Sequence, residues 1–493
     1  MSAARLCLLV GLLTLACAEP PATPPRPNVL LVVLDTLRTD HLSAYGYEPV
    51  VTRNLDEFAA QGVLFEDCLA QASWTMPSMI SLMTGQPLFQ SIYRIPSEVP
   101  VIAEHFAAGG YRTGAFVANS LVGSEAGFDR GVTQFQAREK LHRQWDWRDV
   151  ITRGLNFIDD EPALAPHDSI PADVANALSD KPRSQADHHE PFFLWLHFLD
   201  THSPYEPKRK DPERPVNEVL GVHDLATARA LLESLPDDEA AELYHQLPEL
   251  ADSVQRYDAE LRQLDAALGY LFRALHERGL DENTYVLVAA DHGETLFRRR
   301  QHPDRLQVLA EVRADRGESL RLSDRLKMEH DGWLYDELVR TPLILRGPDL
   351  PRGRRVDSLV TNLDILPTLL GLAGLPVPRT PGRDLAPALR GDTPVQAAEF
   401  AVSACGGAMA ARTPEGRKVV LYSERLKRRH QLVDELFDLR SDPLELQPLA
   451  LDEAANRLAE RLRAAAEADP FQSFYSAPDD DTLQALRELG YVR

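Results

Sequence analysis

The run NVLLVVLDT, residues 28–36, decides the reading of the fold. Asn28 to Leu34 is continuous, apolar and rich in β-branched residues. That is the pattern of a strand covered on both faces, as in a parallel sheet between helical layers. It stops abruptly at Asp35-Thr36. Thr113 to Ala118 is a weaker strand. Pro191 to Leu199 ends at Asp200-Thr201-His202, and Tyr285 to Ala290 ends at Asp291-His292-Gly293-Glu294. Leu343 to Leu345 is a short further strand. Between these lie helical patterns. The clearest runs through Val254, Tyr257, Leu261, Leu264, Leu268, Leu271 and Leu275, and predicts a helix laid on a sheet, with no chemistry of its own. Strands alternating with helices predict an α/β sandwich with a mixed, mostly parallel central sheet.

In open α/β sheets, ligands bind beyond the carboxyl ends of the strands. Asp35, Asp200 with His202, and Asp291 with His292 are therefore expected to meet at one site. A single such cluster reads as an ordinary turn, since Asp favours turns; three make coincidence a poor explanation. Carboxylates together with imidazole suit a divalent cation. The stretch QASWTMPSMISLMTG, residues 71–85, adds a hydroxyl. Pro77 fits the first position of a helix. Thr75 then lies just before it, where N–H groups and the macrodipole make an anion site, and Gly85 ends the helix. Alone, this Thr75 reads as an N-cap. Beside a metal, its hydroxyl becomes a usable nucleophile.

With 493 residues and 44% apolar content, the chain suffices for one large domain with an appendage, or for two. Its formal net charge of −22 argues against a nucleic-acid partner. It leaves an anionic substrate open, because a metal inverts the local field. Residues 1–18 read as an export signal: Arg5 is followed by apolar Leu6 to Leu15, too short to span a bilayer. Ala16-Cys17-Ala18 fits a cleavage site that releases a soluble protein. Leu13 to Cys17 resembles a loose bacterial lipobox, which would lipidate Cys17. The Pro-rich linker at residues 19–27 makes a semi-rigid spacer and favours that membrane tether. The expected location is the bacterial periplasm, free or as a membrane-anchored lipoprotein. Cys68 and Cys405 read as two buried thiols.

Pro207 to Leu250 and Phe297 to Met328 look like inserts, by default solvated surface. The second carries nine basic and five acidic residues. Lying between His292 and His330, it is expected to fold near the site and to attract an anionic substrate. Residues 28–395 read as the site-bearing domain, and 396–493 as a smaller α+β subdomain. That subdomain has strands at Lys418 to Tyr422 and Glu435 to Leu439, a turn at Ser441-Asp442-Pro443, and a helix presenting Leu458 and Leu462.

Several stretches carry a family resemblance. NVLLVVLDTLRTDHLSAYGY resembles the opening of the sulfatase-like branch of the alkaline phosphatase superfamily, and SWTMPSMISLMTG its nucleophile segment. FLWLHFLDTHSPYEP, AADHGE, HDGWLYDELVRTPLILRGP, TNLDILPTLLGLAGL and ELFDLRSDPLELQPL resemble later motifs in the family's order. The resemblance implies an alkaline-phosphatase/sulfatase-like sandwich. It implies that Asp35, Asp291 and His292 are metal ligands and that Thr75 is the nucleophile, also touching the metal. It implies that His202 binds the transferred group or assists the leaving oxygen. His330 matches another polar residue there, or is a surface histidine beside the insert. His197 reads as a satisfied core histidine, Asp40 as a structural cap, and Glu294 as a residue that fixes its own loop.

There are departures. True sulfatases carry Cys or Ser where Thr75 stands and convert it to formylglycine, which threonine cannot become; Ser73 is two positions out of register. Their arginine two residues after the motif's proline is Met79 here, and the second aspartate of the first metal motif is Thr36. The expected function is therefore an exported ester hydrolase with one divalent ion (Ca, Mn, Mg or Zn). It acts on phosphate or phosphonate esters, with sulfate less favoured, on a small anionic ester or a membrane- or glycan-linked one. The alternatives are a sulfuric ester hydrolase without formylglycine, a phosphoglycerol- or phosphoethanolamine-type transferase, and an inactive binding protein on the same fold.

Overall fold

The structure, a computed structural model, describes residues 26–48, 52–90, 92–138, 145–161, 164, 190–207, 231–296, 299–300, 303–314, 316–327, 330, 333–391, 393–430, 432–469 and 471. The export segment, with Arg5 and Cys17, and most of the Pro-rich linker lie outside the described residues.

Strands β1 (Asn28–Leu34), β2 (Val63–Leu69), β3 (Arg112–Val117), β4 (Gln134–Ala137), β5 (Phe192–Phe198) and β6 (Thr284–Ala289) belong to one sheet. So do β9 (Arg340–Arg346), β10 (Arg354–Val356) and β11 (Val360–Thr361), while β7 (Arg299–Arg300) and β8 (Leu326–Lys327) form a separate two-stranded antiparallel sheet. The order in the nine-stranded sheet is β10-β2-β9-β6-β1-β5-β3-β4, with β11 also on β2. All pairs are parallel except those of β9 with β2 and β6. The apolar run at 28–34 is central, between β5 and β6. The pleat divides it: Val29, Leu31 and Val33 enter one core, Leu30, Val32 and Leu34 the other.

The first core is covered by α2 (Thr75–Thr84), α3 (Ile102–Ala108) and α8 (Ile365–Leu372). The second is covered by α1 (Arg53–Ala60), α4 (Trp147–Ile158) and α5 (Leu247–Glu277). Every residue of the periodic pattern from Val254 to Leu275 is buried on α5. Each such leucine contributes about 2 kcal/mol. The chain is thus an α/β protein with a mixed, mostly parallel sheet between helical layers.

The inserts are less superficial than their composition suggests. From the first, Leu231, Leu232, Leu243, Leu247 and Leu250 enter the second core, and its last residues are the opening turn of α5. From the second, Leu322 and Leu326, flanking α7 (Leu322–Arg325), join the same core. Arg313, on α6 (Pro303–Ala314), is paired with Asp324 at 2.9 Å and Glu318 at 2.5 Å, and Arg325 with Glu239. These two arginines are thus paired within the inserts.

A second, antiparallel sheet joins β12 (Ala401–Cys405), β13 (Ala408–Arg412), β14 (Arg417–Tyr422) and β15 (Glu435–Asp438), with α9 (Glu453–Glu467) packed on it. It braces the segment that leads to Thr75. Ser403 Oγ donates to the Ala70 carbonyl at 2.6 Å, and Ala404 N–H to that of Gln71 at 2.7 Å. A buried ion network ties the sheets together. Lys418 Nζ meets Asp336 and Glu445 at 2.8 Å, and Arg412 meets Asp67 and Asp336 at 2.9 Å. Burial alone disfavours the Lys418 ammonium, but Asp336 and Glu445 outweigh it and hold its pKa above the ordinary value. Cys68 and Cys405 are free and buried.

Removing one partner of such a network leaves buried charge uncompensated. Lys418→Ala is expected to lower unfolding stability by about 3–5 kcal/mol. The urea midpoint checks this, and a variant within 1 kcal/mol of wild type, roughly the cost of an exposed pair, would count against it.

Candidate active site

The strand registers explain why distant residues meet. Val33 lies beside His197 and Ala289, and Val117 beside His197, so β1, β3, β5 and β6 end at the same level. Asp35, Asn119, Asp200 and Asp291 each follow within two residues of a strand end. The first helix turn of α2 faces this edge. Helix α2 begins at Thr75 itself, with Trp74 as N-cap, so Thr75 is the first helical residue and not the residue before it. Its hydroxyl does not cap. It lies 3.2 Å from His292 Nε2 and 3.4 Å from Asp35 Oδ2. Gly85 closes the helix at φ 66°, a left-handed position suited to glycine.

Donor atoms of Asp35, Asp291 and His292 all lie within 4.8 Å of one another. All three side chains are buried. His292 Nδ1 donates to the Gly293 carbonyl at 2.9 Å, which puts the lone pair on Nε2. That atom faces Asp35 Oδ1 at 3.6 Å and Asp291 Oδ2 at 3.5 Å. Both oxygens are buried with no hydrogen-bond donor among the described residues. Burial, and then the neighbouring Asp291, push the Asp35 carboxyl above its usual range; burial pushes Asp291 up to about 7. Burial, with His330 alongside, lowers His292 to about 3, so the imidazole is neutral. Two carboxylate oxygens without a donor among the described residues converge with the imidazole lone pair, which only the Thr75 hydroxyl reaches. This donor set fits a divalent cation.

The backbone supports the set. Thr36 is held at φ 58°, a costly conformation for a β-branched residue. Its N–H points at Asp291 Oδ1 at 3.3 Å, and its hydroxyl donates to the Thr201 carbonyl at 2.6 Å. The residue that replaces an expected aspartate thus orients a carboxylate through its backbone. Arg38 grips both oxygens of Asp40 at 2.8 and 2.7 Å and donates to the Glu294 carbonyl at 2.7 Å. Asp40 is therefore an ion-pair partner and not a helix cap: the cap of its short helix is Arg38.

His330 is buried and not on the surface. Its Nδ1 meets Glu294 Oε2 at 3.1 Å, and Glu294 Oε1 accepts the Thr295 N–H at 3.0 Å. Glu294 thus fixes its own loop and also orients His330. The His330 ring lies 4.5 Å from that of His292 and 5.1 Å from that of His202. His202 Nδ1 donates to the Ser203 carbonyl at 2.6 Å, which fixes its ring beside that of His330. His197 departs from its expected role. It is buried, but neither ring nitrogen has a hydrogen-bond partner among the described residues, and Nε2 lies 3.8 Å from Asp35 Oδ2. Burial lowers it to about 4. It is a neutral wall of the carboxylate site and not a satisfied core histidine.

Asn119 was not legible as a site residue. Its Nδ2 donates to Asp35 Oδ2 at 2.8 Å and reaches Thr75 Oγ1 at 3.4 Å, while its Oδ1 accepts the Leu121 N–H at 3.0 Å. The signal was present: it follows β3 as Asp35 follows β1.

A buried hydroxyl at a helix N-terminus, beside carboxylates and imidazoles at the ends of parallel strands, defines an ester hydrolase of the alkaline-phosphatase-like kind. The chain belongs to the Sulfatase family, whose model matches residues 27–375. A second model, N-sulphoglucosamine sulphohydrolase, C-terminal, matches residues 329–469. The Delta 4,5-hexuronate-2-O-sulfatase of Bacteroides thetaiotaomicron is 25% identical, over 91% of this chain and 89% of that protein. Arylsulfatase A of Homo sapiens is 28% identical, over 79% and 72%. The fold is shared with the phosphonate monoester hydrolase of Agrobacterium radiobacter, with TM-score 0.60, 20% identity, and 92% and 99% of the chains covered.

The site predicts a pH signature for cation binding. His292 is already neutral, so protons leave mainly from the carboxyls, and that of Asp291 titrates near pH 7. A raised carboxyl pKa means that protons compete below that pH. Affinity for Ca²⁺ or Mn²⁺ should therefore rise with pH, by about tenfold or more per unit below about 7, with at least one proton released per ion. Calorimetry in buffers of different ionisation enthalpy measures this. Asp35→Ala and Asp291→Ala should each abolish binding while the fold persists; unchanged metal content in either variant would sink the assignment.

Proposed function

We propose that the protein is an exported, metal-dependent hydrolase of phosphate or phosphonate esters, acting through a covalent intermediate on Thr75. The observation that carries this is the place of Thr75 Oγ1, which lies within hydrogen-bond reach of Asp35, His292 and Asn119. The Ser73 hydroxyl, by contrast, is buried without a partner among the described residues. A divalent ion held by Asp35, Asp291, His292 and Thr75 would supply Lewis-acid activation of the hydroxyl and charge neutralisation. The N-terminal turn of α2 and the Asn119 amide orient the hydroxyl and the anionic group. Thr75 Oγ1 loses its proton to solvent water and attacks phosphorus in line, its bond to phosphorus forming as the ester P–O bond breaks. His202, in its imidazolium form, protonates the departing alkoxide from Nε2 and regains a proton from solvent, and His330, held by Glu294, neutralises the group in transfer. Water then attacks the phosphothreonine and releases phosphate.

The choice of phosphorus over sulfur rests on clearance. A formylglycine diol expels sulfate by collapsing to its aldehyde, whereas threonine has no second hydroxyl. A phosphothreonine is cleared by a second in-line attack. The name of the Bacteroides relative favours sulfate as the second reading. The leader and spacer support export, with Cys17 as lipid attachment point on the bacterial membrane.

A panel of phosphate monoesters, diesters, phosphonates and sulfate esters tests the reading. We expect turnover of at least one phosphorus ester and little of aryl sulfates. Thr75→Ala should cost about 100-fold or more, as when one well-placed group is lost from a transition state, while Ser73→Ala keeps most of the rate. Aryl sulfates cleaved faster than every phosphorus ester, or a fully active Thr75→Ala enzyme, would overturn it.

A further inference from the structure

His202 also lines a cavity of about 440 Å³ in which Thr75 takes no part. Trp145 and Trp147 line it together with Asp146, Asp200, Glu206 and Glu260. Among the described lining residues there is no lysine or arginine. Arg148 is paired with Asp146 at 2.8 Å, and Arg153 stacks on Trp145 at 4.2 Å. Glu260 accepts the Glu206 N–H at 3.1 Å and so holds one wall to α5. Asp200 is the informative residue. Its Oδ1 accepts the Trp147 N–H at 3.2 Å, but its Oδ2 is buried with no hydrogen-bond donor among the described residues. A buried carboxylate oxygen left without a donor is costly, and one beside an open cavity points to a ligand that supplies the donor.

We propose that this cavity is the leaving-group subsite and that it selects esters whose alcohol portion carries a primary ammonium. The inference rests on the reading of His202 as the group that meets the leaving oxygen. The departing alcohol then lies on the His202 side, where the cavity opens. Its methylenes lie against the indoles, and its N–H donors reach Asp200 Oδ2 with Glu260 and Glu206 nearby. The carboxylates repel an alcohol portion bearing carboxylate or sulfate groups. Anionic character is thus wanted at the Thr75 end of the substrate and cationic character at the cavity end.

The test compares 2-aminoethyl phosphate with propyl phosphate, which has the same shape but an uncharged tail, on the metal-loaded full chain. The kcat/KM ratio should favour the ammonium ester about tenfold or more, the worth of one charge-assisted hydrogen bond. Asp200→Asn and Glu260→Gln should each bring the ratio toward one. A second readout needs no turnover. Ethylammonium chloride, against equal sodium chloride, should change the tryptophan fluorescence of the metal-free protein saturably, and Asp200→Asn should remove the response. Both esters cleaved with a ratio near one, or a ratio unmoved in both variants, would overturn the subsite and leave the phosphoesterase reading standing. A saturable response with neither ester cleaved would retain the cation site and remove the reading on which the leaving-group role rests.

Discussion

Asp35 and Asp291 converge inside the protein with His292, and among the described residues no lysine or arginine pairs with them. Like charges this close raise one another's pKa, and burial raises both further. A chain that holds them there must either keep them protonated or supply a cation. The structure resists neutralisation by its own residues: His292 and His197 are themselves kept neutral by the same burial. Asn119 satisfies only Oδ2 of Asp35, and Thr36 satisfies only Oδ1 of Asp291. One oxygen of each carboxylate is left facing the imidazole lone pair. The arrangement is costly as a bare protein core and fits a set of cation ligands.

Everything around this pair keeps it in place. The strands that carry the carboxylates are neighbours in register, so the two cannot drift apart without breaking the centre of the sheet. Helix α2, buried along its whole length, fixes Thr75 against them. The C-terminal sheet pins the approach to that helix through Ala70 and Gln71, and its buried ions bind it to the strand edge. The smaller sheet therefore acts on the chemistry mechanically. Its contacts are with Ala70 and Gln71, and through them it sets the start of the helix that carries Thr75.

Much of this was legible. The run at 28–34 matches its strand residue for residue, because a strand buried on both faces writes an uninterrupted apolar signature. The site followed from a single rule applied at three strand ends. The same rule at the end of β3 would have yielded Asn119, but that strand's weaker pattern, broken by Gly114, drew less notice. Strand β2 was missed because Glu66 and Asp67 interrupt it, and their partners, Arg355 and Arg412, are remote in sequence. The role of Thr36 was not legible at all. A left-handed backbone at a β-branched residue has no compositional signal, since local preference argues against it. The inserts misled for the opposite reason: their charge dominates the composition, while a few leucines do the packing.

An inactive binding protein on this fold would explain the missing arginine and the second missing aspartate, and the local physics bears on that alternative. A relic gains nothing from two buried carboxylates without counter-charge, nor from a strained threonine that orients one of them. Either feature is relieved by a single substitution to a smaller or apolar residue, with a gain of a few kcal/mol. The hydroxyl of Thr75 sits where it meets an acid, an imidazole and an amide at once, with no contribution to helix capping. An unrelieved cost at the strand ends, converging on one otherwise idle hydroxyl, is the arrangement that catalysis requires and that packing alone does not. The substitution of threonine at the nucleophile position then reads as a change of chemistry and not as its loss. On the function proposed above, the site keeps the machinery for forming a covalent ester and gives up only the aldehyde route for releasing it.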